Sequence, residues 1–130
     1  MFDKAEYWIK LADDDIPAIR TLLNGKNYLH AGFLCHLAVE KSLKALVASV
    51  TTEIPPKTHD LARLAEKGGI LDDLTEKQLD FLGELNPLNI EARYPEYKAR
   101  ITEKLTLEIT ERLFRETEDF LCWIKKKLGK

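Results

Sequence analysis

The sequence predicts an all-α fold, an antiparallel up-and-down bundle of about five helices. Three observations point there. Apolar residues recur at three- and four-residue spacing through long stretches. No stretch alternates convincingly with period two, so no sheet is expected. The intervals between the periodic stretches are mostly short and carry Gly, Pro or capping residues.

Residues 3–24 read as the first helix, with Ala5, Trp8, Ala12, Ile16, Ile19 and Leu23 in phase. Pro17 inside it removes a backbone donor and predicts a bend or restart near residues 13–16. Asn24-Gly25-Lys26-Asn27 is the stop, with Gly25 suited to a left-handed C-cap. Residues 28–50 form a second helix, apolar around much of its circumference through Ala31, Leu34, Cys35, Ala38, Leu43, Leu46 and Val47; such a helix touches neighbours on several sides. Pro55-Pro56 follows it. A short helix starts at Thr58 as N-cap, gains from Asp60 in its first turn and stops at Gly68-Gly69. Thr75-Glu76-Lys77-Gln78 is a capping box for a fourth helix to about Leu85, ended by Pro87. Residues 88–101 read as irregular around Pro95. The last helix spans 103–128, with Leu105, Ile109, Leu113, Phe120, Ile124 and Leu128 on or near one face and Lys125, Lys126 and Lys127 set against its C-terminal dipole.

A chain of 130 residues, 45% apolar and 32% charged, is read as one domain spanning 1–130 with a core that needs no staples. The net charge of -2 argues against a general nucleic-acid coat protein but leaves room for a local basic pocket. Cys35 and Cys122 both lie in apolar helical patterns and read as buried thiols without a CxxC partner. Free thiols, a charged N-terminal stretch and no apolar run near the roughly 18 residues of a membrane span predict a cytoplasmic protein with no membrane partner.

The chemistry concentrates in two segments. His36, Glu40 and Lys44 stand at i, i+4 and i+8 of the apolar second helix and so share one stripe. Buried polar groups need partners, and Arg93 with Tyr94 and Tyr97 is the expected source. Arg93 offers a planar fork matched to phosphate, and the tyrosines offer stacking surfaces. Together they predict a nucleotide-binding site of His36, Glu40, Lys44, Arg93, Tyr94 and Tyr97. The alternative is a satisfied polar network inside a bundle or dimer interface. His59 reads as an exposed histidine beside an N-cap, with anion contact as the lesser alternative. Asp13-Asp14-Asp15 reads as a solvated face, because successive helix residues diverge by about 100° and share an ion poorly. No metal and no cofactor are expected. The sequence contains no P-loop, GxGxxG, HExxH or GxSxG, and no Gly-Ser followed by Asp-x-Asp, which argues against a self-contained phosphoryl-transfer enzyme.

Four sets of residues form one pattern: Ala5, Ile16, Leu22 and Leu23; Tyr28-x-x-Ala31-x-Phe33-x-x-His36-x-Ala38-x-Glu40-Lys41-x-Leu43-Lys44-Ala45; Lys57-Thr58-His59-Asp60-Leu61; and Ala92-Arg93-Tyr94-Pro95. In this pattern the chain resembles the HEPN family of small prokaryotic helical domains. The resemblance implies a bundle like the substrate-binding subunit of nucleotidyltransferases, a homodimer, and a minimal nucleotidyltransferase partner, in some cases as a toxin–antitoxin pair. Many toxic members are metal-independent ribonucleases that use an arginine followed a few residues on by a histidine. Here all 3 histidines, His30, His36 and His59, precede Arg93, and no earlier arginine has a histidine at that spacing. The expected function is therefore a nucleotide-binding regulatory module rather than an enzyme. A ribonuclease with a displaced site, in which His36 or His59 joins Arg93 across a dimer, and a purely structural dimerisation module are the alternatives. RNA as a partner is left open, as is nucleotidyl transfer to Tyr94 or Tyr97.

Overall fold

The computed structural model describes residues 3–89 and 95–129. Among them lie six α-helices and two 3-10 turns, with no strand. The helices are α1 (Lys4–Asn24), α2 (Tyr28–Val50), α3 (Leu61–Lys67), α4 (Glu76–Leu85), α5 (Pro95–Lys104) and α6 (Leu107–Lys127). The 3-10 turns are Leu71–Asp73 and Asn86–Leu88.

The expected helix content is present, with one element more than predicted. The stretch read as irregular holds α5, which starts on Pro95, where a fixed φ and a missing N–H suit the first turn. Leu105 and Thr106 then interrupt the chain. Thr106 caps α6 by accepting from the Ile109 N–H, so the last helix begins at Leu107 rather than 103. α1 continues through Pro17 as a single helix.

α2 is the hub. It packs against α1, α3, α4, α5 and α6, and its buried residues lie on most of its circumference. Ala31, Cys35, Ala38, Val39, Leu43 and Ala45 are fully buried. Around them pack Ala12 and Ile19 of α1, Leu61 and Leu64 of α3, Leu82 and Leu85 of α4, and Leu113, Phe114 and Ile124 of α6. Gly32 admits close approach at one point: a Cβ there would stand 3.1 Å from Leu105 Cδ1 and 3.3 Å from Leu88 Cδ1. Ion pairs link the helices at the surface. Asp15 takes Lys41 of α2 at 2.8 Å, and Asp13 takes Lys125 of α6 at 2.7 Å, so two of the three consecutive aspartates tie α1 to its neighbours. Arg112 forks onto both carboxylate oxygens of Glu84, at 2.7 and 3.1 Å.

Two helix ends close in the same way with different residues. After α3, Gly69 takes φ 77°, its N–H bonds the Glu66 carbonyl, and the Ile70 N–H bonds the Ala65 carbonyl. This six-to-one plus five-to-two pattern is a Schellman closure. After α1 the same pair runs from Lys26 to Leu23 and from Asn27 to Leu22, at 3.0 and 2.8 Å. The left-handed residue there is Lys26 at φ 62°, not Gly25, whose φ is -85°. Gly25 is the C-cap itself, so the position that needs left-handed backbone falls one residue later.

The two cysteines part company. Cys35 is buried beside Thr117, and its thiol is pushed up to about 12, chiefly by burial. Cys122 is exposed, not buried as expected. The inward face of α6 is set by Leu113, Phe114, Thr117, Phe120, Leu121 and Ile124, and Cys122 falls beside it.

Two outcomes follow. Replacing Lys26 by Gly removes the cost of left-handed backbone at a side-chain-bearing residue and raises unfolding free energy by about 0.5–1 kcal/mol, measured by urea denaturation. A thiol reagent titrates one cysteine in the native protein and the second only in denaturant. Cys122→Ser abolishes the native reaction, and Cys35→Ser does not.

Candidate functional site

The polar stripe of α2 is completed by a residue from the α2–α3 connection. Asp60, not Thr58, caps α3: its side chain accepts from the Ala62 and Arg63 N–H groups. Thr58 instead accepts from the Asp60 N–H. His59 therefore precedes the cap on non-helical backbone, where its side chain reaches back to α2.

Glu40 is the centre. Its side chain is only 5% exposed. Oε1 accepts from His59 Nδ1 at 2.8 Å and Oε2 accepts from Lys44 Nζ at 3.0 Å. His36 Nδ1 stands 3.7 Å from Oε1, and His36 Nε2 donates to the His59 carbonyl at 3.1 Å. A carbonyl can only accept, so the proton of that bond sits on Nε2. The connection is thus held to α2 twice, once by its backbone and once by its side chain. Lys44 Nζ also lies 5.2 Å from the ring centre of Trp8 on α1, a cation–π distance. Tyr7 meets Trp8 edge-on at 5.6 Å and is half exposed.

These residues differ sharply in access. His36 is fully buried, so it acts only through its neighbours. Lys44 is largely covered. The His59 side chain is 59% exposed and is the group of the cluster that solvent reaches most readily. Burial pushes the Glu40 carboxyl up, but hydrogen bonds from His59 and Lys44, with the charges of Lys44 and His36, hold it below the usual carboxylate range. Glu40 is accordingly ionised at neutral pH.

Of the six predicted site residues, the structure brings His36, Glu40 and Lys44 together. Arg93 and Tyr94 lie outside the described residues. Tyr97 stands on α5, half exposed, with Arg100 at 5.9 Å over its ring. His59, read as an exposed histidine beside an N-cap, is exposed and precedes the Asp60 cap, and it also bonds the central carboxylate. Its signal was the Asp60 beside it: Asp is the better N-cap, and a histidine just before a cap is outside the helix.

The depressed Glu40 pKa fixes a sign. Its contribution to stability is present above the ordinary carboxylate value of 4.5 and is lost as pH falls through the lower folded value. Glu40→Gln is expected to cost about 2 kcal/mol at pH 7. The gap between wild type and variant should narrow below pH 4.5, as read by thermal melts across pH.

The described residues include no helix long and apolar enough to cross a membrane. No curated protein sequence matches the chain. Two solved structures share its fold across nearly the whole length. The crystal structure of TT1696 from Thermus thermophilus superposes with a TM-score of 0.81 at 21% identity, covering 97% of this chain and 99% of that one. ST0689, an archaeal HEPN homologue, superposes with a TM-score of 0.66 at 22% identity, covering 97% and 98%. The HEPN domain model matches residues 5–128. With that match spanning nearly every element described above, the chain belongs to the HEPN family.

Proposed function

We propose that this HEPN chain is a nucleotide-binding regulatory module that works as a homodimer with a separate minimal nucleotidyltransferase, as one half of a toxin–antitoxin pair. The observation that supports nucleotide binding most directly is the Glu40 cluster. One buried carboxylate holds an exposed imidazole, His59, and an ammonium, Lys44, beside an aromatic pair, Tyr7 and Trp8. Imidazole and ammonium suit the polar part of a nucleotide, and indole and phenol suit its base. In this reading Arg93 and Lys44 contact the phosphate, Tyr94 or Tyr97 stacks on the base, and His36 and Glu40 orient the contacts. The partner, the dimer and the toxin–antitoxin role come from the family resemblance.

A second reading, a metal-independent ribonuclease, gains from one observation. His59 donates Nδ1–H to a buried carboxylate and leaves most of its ring in solvent. That is the arrangement of a histidine poised to take or give a proton. It answers the missing histidine after Arg93 with one from the α2–α3 connection.

Calorimetry with ATP, GTP and AMP separates the readings. Binding that weakens about tenfold or more in Arg93→Ala and Lys44→Ala supports the module. No binding at millimolar concentration rejects it. Induced expression without a partner tests the alternative. Growth arrest with cut RNA, abolished by His59→Ala, makes the protein an enzyme.

A further inference from the structure

We propose that His59 presents a fixed hydrogen-bond acceptor, its Nε2, to the ribose hydroxyl edge of the ligand, and that Glu40 is the positioning residue that sets it. The inference rests on the nucleotide reading above and deepens it. An ionised carboxylate can only accept, so the bond from His59 to Glu40 at 2.8 Å puts the imidazole proton on Nδ1. The other nitrogen of a neutral ring is then a bare lone pair. Free imidazole side chains in water favour the opposite tautomer, so the choice is imposed by the fold.

Three contacts hold that choice. Glu40 is pinned from its other oxygen by Lys44, at 3.0 Å. The His59 backbone is pinned by His36 through its carbonyl, at 3.1 Å. The His36 and His59 rings stand tilted, with centres 6.3 Å apart. The exposed part of the cluster therefore has a definite polarity. Lys44, held beside Glu40 and the face of Trp8, keeps N–H donors suited to the phosphate. With the ring neutral, what the surface offers a newcomer at His59 is an acceptor, and an acceptor selects a donor. A fully ionised phosphate has no proton to give, whereas a ribose hydroxyl does. The phosphate is left to other groups, and His59 reads the sugar.

Asn is the informative replacement, because its amide nitrogen overlays Nδ1 and can still donate to Glu40 while nothing replaces Nε2. The experiment uses the full chain with labelled histidines at pH 8. Long-range nitrogen–proton NMR correlations are expected to show His59 protonated on Nδ1. Added AMP should shift the His59 Nε2 resonance. AMP lacking both ribose hydroxyls should bind about tenfold more weakly and leave that resonance in place. His59→Asn should lower AMP affinity about tenfold while leaving affinity for the dideoxy analogue unchanged, with a thermal melt confirming that the variant is folded.

A proton on Nε2 in the free protein overturns the inference. So does an equal loss of affinity for both nucleotides in His59→Asn. Failure of AMP to bind at all rejects the nucleotide reading, and ribose 5-phosphate then decides the sugar contact. A shift at His59 keeps it, and an unmoved resonance ends it.

Discussion

A single buried carboxylate governs the region where this protein's polar chemistry collects. Placing Glu40 on the most buried helix carries a desolvation cost that is offset only by charged or donating partners in good geometry. The fold supplies them from two sources. Lys44 comes from the next turn of the same helix, and His59 arrives from the far side of Pro55-Pro56. The α2–α3 connection is consequently not free to take any path. It must deliver an imidazole to Glu40 and a carbonyl to His36, and Asp60 must then start α3 at once.

The rest of the architecture makes that placement feasible. α2 is surrounded by five helices, so its polar stripe is enclosed by packing rather than left at a surface. Small residues such as Ala31, Gly32, Ala38 and Ala45 bring neighbours near the backbone. The buried threonines of α6 satisfy themselves locally: Thr110 and Thr117 return their hydroxyls to carbonyls one turn back. The Glu40 carboxylate instead takes one of its hydrogen bonds from a residue distant in sequence, which sets it apart from that self-contained core polarity.

Much of the fold was legible because its signals are local. The period of α1, α2 and α6, the Thr75–Gln78 capping box and the Gly68-Gly69 stop all lie within a few residues of what they dictate. Errors fell where two local signals competed. Thr58 and Asp60 both can cap, and the stronger acceptor won; Gly25 and Lys26 both can end α1, and the hydrogen-bond pattern of the closure chose Lys26. The site was half legible for the same reason. His36, Glu40 and Lys44 follow from helical spacing alone, whereas His59 depends on where a cap falls and on a connection folding back across residues 51–60. α5 was missed because Pro95 reads equally as a break and as a first turn. Family membership accounts for the bundle, and the chemistry remains a matter of particular side chains.

The reach of the Glu40 cluster along the chain has a kinetic side. Trp8, Lys44 and His59 meet only after α1 and α2 have paired and the proline-bearing connection has closed over them. Contacts of that separation carry loop-closure entropy. The connection is held to α2 through the His59 backbone and side chain, so its opening is coupled to loss of the Glu40 contacts. A molecule seated against His59 would tighten this junction, and occupancy would be felt as rigidity between the first helix and the third.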